Sequence, residues 1–234
     1  LEFRRVLFRS MARNVPDAAL MLSVMASNLG CDPLAGPVEP AAFAQLAEVD
    51  LSRLRVAWST DLGSVPVDHT IARLFAERVE SVASAFHSCE RRDPDMSRAL
   101  EVFWIIRGVH FLAGQMENYR RFPEKLGPNV TGNVQAGLEM TAEEIAWATA
   151  EQTRLYRQFQ SFFEDVDLLL CPGNAVPPFP IEQPYCEEIN GNKVENYVEW
   201  LGIEIGRAHV RTPVTGETRM PSSARKKKMK ISVK

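Results

Sequence analysis

The chain has 234 residues, 45% of them hydrophobic, and a formal net charge of -3, enough apolar material to bury a sizeable core in one domain or one large piece of a domain. That near-neutral total hides a segregation: residues 11–203 carry 15 Lys/Arg against 27 Asp/Glu, residues 204–234 nine against two, and residues 1–10 three against one. The acidic body argues against nucleic-acid binding, and the lack of any run of about 18 apolar residues argues against a membrane-spanning helix.

The two ends read differently from the body. Residues 1–10 and the stretch from Gly206 onward resemble translated adaptor or vector DNA. Residues 1–10 are therefore expected to be a non-native leader and 204–234 a non-native, disordered basic tail, and both are set aside from fold reasoning. Residues 225–228 have the composition of a nuclear-localisation or anionic-surface patch, but no apolar periodicity accompanies them. The apolar runs in 1–10 are too short and Arg-interrupted for a signal peptide. The four cysteines, Cys31, Cys89, Cys171 and Cys186, lie far apart, with no Cys-x-x-Cys and no His at ligand spacing. Reduced, mostly buried thiols in a cytoplasmic protein are the expectation.

Within 11–203, Asn14 is placed to cap a helix starting near Val15, with Pro16 in its first turn and Asp17 suited to the helix dipole. Val15, Ala18, Ala19, Leu22, Met25 and Ala26 keep one apolar stripe. Asn28-Leu-Gly30 ends it, and a Pro/Gly-rich loop over 32–40 follows. Leu54-Arg-Val-Ala-Trp-Ser59 alternates as a strand does, and 61–66 reads as a loop. Asp68 then caps a long helix carrying Ile71, Leu74, Phe75, Val79, Val82 and Phe86, and the stretch from Cys89 to Pro94 breaks it. A second long helix carries Leu100, Phe103, Trp104, Arg107, Val109 and Leu112. The stretch from Arg120 to Asn133, with its Pro, Gly and Asn, is expected to be a loop.

Thr141-Ala-Glu-Glu144 is a capping-box pattern that opens a third long helix through about Phe163. Val166-Asp-Leu-Leu-Leu-Cys171 reads as a short buried strand, and Pro172 to Pro180 as a proline-rich loop. Ile189-Asn-Gly-Asn192 carries a hairpin turn signal, and a helix is expected to start over 197–201. Strands and helices alternate, with more helix than sheet. Two strands cannot offer these helices a stable sheet face, so the remaining strands are expected to lie in sequence outside this chain.

Several residues have the chemistry of a site. Ser59, Asp61 and His69 are the residue types of a hydrolase triad, but no Gly-x-Ser-x-Gly elbow surrounds Ser59, and turn and cap roles fit the short spacing better. His87 and His110 fall on or beside helices, where core or surface roles are the default. Glu143-Glu144 fits capping better than acid/base catalysis. Tyr185, Glu187 and Glu188 read as a solvated acidic loop more readily than as a metal site.

Three stretches resemble the amidase signature family: Met11-Ala-Arg-Asn-Val-Pro-Asp-Ala-Ala-Leu-Met-Leu22, then Arg55-Val-Ala-Trp with a helix bearing Val79-Glu-Ser-Val-Ala, then Asp167-Leu-Leu-Leu-Cys-Pro172 with Pro178-Phe-Pro180. Their order and spacing cover most of 11–203. The resemblance implies an α/β fold with a mixed central sheet and helices on both faces, of which this chain would be a helix-rich, C-terminal-half portion. It implies carboxamide hydrolysis by a Ser-Ser-Lys arrangement, in which a buried neutral lysine acts through a bridging serine on a nucleophilic serine and loop N–H groups hold the oxyanion.

In the family pattern those three residues precede the helix at Met11. Residues 11–203 hold two lysines, Lys125 and Lys193, and no adjacent serines; Ser222-Ser223 lies in the basic tail without glycines. No residue here is therefore expected to be catalytic. The loop Gly173-Asn-Ala-Val-Pro-Pro-Phe179 leaves a strand end, where sites often sit. Asn174 is a candidate to hydrogen-bond a substrate amide and Phe179 to pack on it, beside the plainer role of a proline-braced connection.

The expectation from sequence is thus a truncated amidase, inactive alone, acting in its intact form on a small-molecule amide. It would need no metal or organic cofactor and no nucleic-acid or membrane partner, with a homodimer as one option for the intact form. Two alternatives stand: the amidase subunit of a glutamyl-tRNA amidotransferase-like complex, and a non-catalytic helical interaction protein.

Overall fold

The computed structural model describes residues 12–26, 39–44, 48–183, 185–194 and 197–204. The expectations for 1–10, for the tail beyond Glu204, for most of the 32–40 loop and for Cys31 lie outside these residues. The chain divides into two units, Leu1–Asp50 with Arg219–Lys234, and Leu51–Thr218.

In the first unit, α1 (Val15–Met25) begins where Asn14 leaves extended backbone and its Oδ1 accepts the Asp17 backbone N–H at 2.8 Å. This is the cap legible in the sequence. Ala19 is the buried residue of α1, whereas Val15, Leu20 and Val24 are exposed. Helix α1 packs against the single turn α2 (Ala41–Ala44).

The second unit is built on three parallel strands, β1 (Arg55–Trp58), β2 (Ser88–Arg91) and β3 (Leu168–Leu170), in the order β2-β1-β3. Val56 stands opposite Cys89 on one side and Leu168 on the other. Parallel neighbours need long crossovers. Helix α3 (His69–Val82) lies between β1 and β2; α4 (Ala99–Arg121), α5 (Pro128–Glu139) and α6 (Ala142–Asp165) lie between β2 and β3. Val56 and Ala57 are both almost fully buried, so both faces of β1 are covered. Ala57 packs with Phe162 and Val166 at the end of α6, while Trp58 meets Phe75 of α3 edge-on with centroids 6.4 Å apart. The start of the sheet is clamped by Arg55, whose Nε and Nη2 each donate to a different oxygen of Asp167 at 3.0 Å.

Two sequence expectations need correction here. The stretch after Cys89 is not merely a break: Ser88–Arg91 forms β2, so the sheet has a third strand from within the chain. Ser-Cys-Glu-Arg carries no apolar alternation, and the strand is held by its backbone ladder to β1 rather than by a buried face. The expected loop over 120–133 holds a 3-10 turn, Pro123–Lys125, and the first half of α5. Pro128 is the first residue of that helix, where its missing N–H costs nothing, and the two glycines of the stretch, Gly127 and Gly132, have open space where a Cβ would stand. The described sheet is parallel throughout; the antiparallel pair, β4 (Glu188–Ile189) with β5 (Asn192–Lys193), forms a separate hairpin.

Other elements match their signals. Asp68 caps α3 by accepting the Thr70 and Ile71 N–H groups. Thr141 and Glu144 form the reciprocal capping box of α6. Asn190 and Gly191 turn the hairpin with φ of 54° and 82°, both in the left-handed region that a type I′ turn requires. Helix α3 ends at Val82, four residues before Phe86, in the 3-10 turn Ala83–Ala85, and the helix expected to start over 197–201 opens with the 3-10 turn Glu199–Leu201 and continues as helix over 202–204.

The main core draws on the segments that leave the carboxyl ends of β1 and β3. Leu62, Val65, Val67, Ala175 and Val176 pack there with Val102 of α4, Leu155 and Phe159 of α6, and Ile189 of the hairpin. Helices α4 and α5 touch through glycine: a Cβ on Gly137 would stand 2.6 Å from the Gly108 carbonyl oxygen. Gly132, on the same helix, has open space at that position. Gly137→Ala should destabilise the chain by about 1–3 kcal/mol, the range for overpacking, while Gly132→Ala should stabilise it by roughly 0.5–1 kcal/mol through helix propensity. Urea unfolding midpoints of the two variants against the parent chain check the opposite signs.

Candidate functional site

Open parallel sheets place ligands beyond the carboxyl ends of their strands, and here three loops leave that edge. After β1 come Ser59, Thr60 and Asp61; after β2, Arg92, Asp93 and Pro94; after β3, 171–180. Ser59 is fully buried. Its N–H donates to the Leu170 carbonyl at 3.0 Å, extending the β1–β3 ladder by one residue. Its hydroxyl donates to Asp93 Oδ1 at 2.6 Å. One serine thus ties together the exits of all three strands.

The turn that follows is tight. Leu62 and Gly63 both have positive φ, 52° and 84°; for a leucine this conformation is strained, and its near-complete burial in the main core holds it there. Asp61 accepts the Gly63 N–H at 2.9 Å and closes the turn. Beyond it the β1 and β3 loops are stitched together. Asp68 N–H donates to the Ala175 carbonyl at 2.8 Å. Asn190 of the hairpin donates to the Val67 carbonyl at 2.8 Å and accepts the His69 N–H at 2.9 Å.

The triad residue types are therefore kept apart in role. Ser59 bonds Asp93, Asp61 closes its own turn, and His69 is an exposed first residue of α3 whose backbone is tied to Asn190. Glu144 is committed to the capping box, and hydrogen bonds from the Thr141 backbone and side chain hold its carboxyl below the usual range. His87 and His110 are exposed. Glu187 and Glu188 are exposed, Tyr185 is half-buried, and among the described residues no cluster of His, Cys, Asp and Glu has the makings of a metal site. Cys89, Cys171 and Cys186 are half-buried rather than buried, and burial pushes the Cys89 thiol up.

Lys125 is exposed and stands over the Phe122 ring, and Lys193 is exposed on β5. Neither has the buried setting of a lysine base. Asp95, on the loop from β2 to α4, is held below the usual carboxylate range first by hydrogen bonds from the Ser97 side chain and backbone, then by Gln158. A depressed carboxyl contributes stability above its ordinary range and loses it as pH falls through the lowered value; with its side chain half exposed, solvent screens the effect.

Of the two pocket candidates, Asn174 is exposed at the β3 exit, and Phe179 is half-buried, edge-on to Trp200 with centroids 5.5 Å apart and planes at 88°. The Trp200 indole N–H is buried without a hydrogen-bond partner, and buried donors left unpaired are uncommon. Among the described residues no helix is long and apolar enough to cross a membrane.

Sequence reasoning missed Asp93, Asn190 and Trp200. Asp93 lies in the helix-breaking stretch 89–94, Asn190 carries a turn signal alone, and Trp200 has no local signal for an unpaired N–H.

A parallel α/β unit with helices on both sheet faces and loops gathered at the carboxyl edge is the class of fold this geometry defines. The Amidase family matches residues 10–233, and the chain belongs to that family, the amidase signature enzymes. The matched range takes in the basic tail. An acylamidase of Rhodococcus erythropolis is 23% identical over 192 residues, which are 81% of this chain and 40% of that protein. A bacterial aryl acylamidase of the amidase signature family superposes with a TM-score of 0.70 at 17% identity, over 83% of this chain and 42% of the other. A 6-aminohexanoate cyclic dimer hydrolase does so with a TM-score of 0.63 at 18% identity, over 85% and 45%. The chain thus spans about two fifths of the length of the curated relative it matches.

Removing the Ser59–Asp93 contact should cost about 1–2 kcal/mol, a hydrogen bond to a charged group discounted for the carboxylate's access to water. A double-mutant cycle with Ser59→Ala and Asp93→Ala, read by urea unfolding, should show the two changes to be non-additive. Additive effects would mean the serine does not join the strand exits.

Proposed function

We propose that this chain is the substrate-shaping portion of an amidase signature hydrolase, and that the reacting serines and lysine belong to polypeptide outside residues 11–203. The reaction is the addition of water across a carboxamide, breaking the C–N bond to give a carboxylic acid and an amine. Family membership carries the reading. Two features of the chain support the division of labour: residues 11–203 contain no adjacent serines, and both lysines there are exposed.

The role left to this portion is the wall of the pocket. The β3 exit loop carries Asn174 and ends at Phe179 against Trp200, so it offers an amide side chain, a ring and an unpaired buried N–H donor. An acyl anilide, with an aromatic ring beside its amide, suits such a wall, and the two acylamidase relatives point the same way. A donor already desolvated can meet a carbonyl oxygen without further loss of hydration. The acidic body gives no support to a tRNA-linked role.

The test is an assay of the purified chain with a chromogenic acyl anilide, following release of the coloured aniline. No turnover above buffer is expected. Turnover that disappears on replacing any serine of the chain would contradict the proposal, since chemistry would then reside in these residues.

A further inference from the structure

Away from the strand exits, one half-buried guanidinium is surrounded by rings rather than by carboxylates. Arg107 of α4 has its guanidinium carbon 4.9 Å from the Phe111 ring centre, 5.5 Å from Tyr197 and 5.6 Å from Phe103. Its Nε donates to Asn133 Oδ1 at 3.0 Å and its Nη2 to the Tyr197 hydroxyl at 2.7 Å. The other arginines with side chains this enclosed, Arg55 and Arg154, each pair with a carboxylate. Among the described residues the acceptors of Arg107 are neutral, the Asn133 amide and the Tyr197 hydroxyl.

Counting protons shows what the cluster lacks. Asn133 is buried and fully committed: its Nδ2 donates to the Asn129 carbonyl and to the Tyr197 hydroxyl, and its Oδ1 accepts from Arg107. The acceptance from Arg107 fixes which end of the amide is oxygen. The Tyr197 oxygen therefore receives two N–H donors, neither of which can accept in return. Its own O–H must point elsewhere, and the guanidinium Nη1 beside it is likewise uncommitted. Two adjacent donors, one carrying a full positive charge inside an aromatic enclosure, call for an acceptor with negative charge.

We infer that Arg107 and Tyr197 form a binding site for a carboxylate, one oxygen accepting from Arg107 Nη1 and the other from the Tyr197 hydroxyl. The rings of Phe103 and Phe111 favour a carboxylate attached to an apolar or aromatic body. The inference does not rest on the amidase reading: its residues lie on α4, on α5 and at Tyr197, and the site can be loaded without any turnover.

Benzoate is the probe, titrated into the full chain at neutral pH and constant ionic strength and followed by calorimetry, with benzamide as the neutral isostere. Saturable benzoate binding is expected, with benzamide weaker by about tenfold or more, as for loss of a charge-assisted hydrogen bond. Tyr197→Phe keeps the ring but removes the hydroxyl, both its O–H and the oxygen that accepts from Arg107 and Asn133, and should weaken benzoate by about tenfold or more. Arg107→Lys keeps a charge but loses the fork, and should weaken benzoate further. Circular dichroism verifies that each variant is folded. No saturable benzoate binding, equal affinity for benzamide, or full affinity in folded Tyr197→Phe would each overturn the site.

Discussion

Strand β1 is hydrogen-bonded on both edges and covered on both faces, and most of the second unit follows from keeping it so. Its four residues are flanked by β2 and β3 in parallel. A parallel strand cannot be reached by a tight turn, so each neighbour imposes a helical crossover. Those crossovers are the helices that bury Ala57 and Trp58. The bidentate Arg55–Asp167 contact sets the register at the amino end, and the Ser59–Asp93 contact ties the carboxyl end. Register matters because a slip of one residue would exchange Ala57 for its neighbours and put Trp58 where only a methyl group fits.

Fixing both ends of β1 also fixes where chemistry can be presented. The loops after β1 and β3 are joined by the Asp68–Ala175 hydrogen bond and braced by Asn190. Their apolar residues form the main core with α4 and α6. The β3 exit loop is therefore rigid at its base, with Asn174 exposed and Phe179 held against Trp200. A loop anchored in this way suits the positioning of a substrate. The Arg107 cluster reaches the same short segment, since Tyr197 and Trp200 are three residues apart in sequence. Substitutions in that segment would act on both places.

Much of this was legible in the sequence because the signals were local. Asn14, Asp68 and the Thr141–Glu144 box cap the helices they announce, and Asn190-Gly191 turns the hairpin. The strand over 55–58 was visible as an alternation and that over 168–170 as an apolar run, and the three stretches that resembled the amidase signature family led to the family that the chain belongs to. What was missed depends on partners distant in sequence. Ser88–Arg91 is a strand because β1 lies beside it, not because of its own pattern. Pro128–Glu139 is a helix because Gly137 lets it approach Gly108. Asp93 matters only through a serine 34 residues away. The Arg107 network joins residues 26 and 90 positions from it, a juxtaposition no periodicity reports.

The placement of β1 at the centre of the described sheet is tested most directly by amide hydrogen exchange on the full chain. Exchange slows where backbone N–H groups are paired in a covered strand. The fold requires the amides of 56–59 to be among the slowest of the second unit, slower than those of β2, whose Glu90 and Arg91 are exposed. Exchange over 56–59 as fast as at the exposed Gly173 and Asn174 would contradict the central strand, and with it the strand exits from which the site is built.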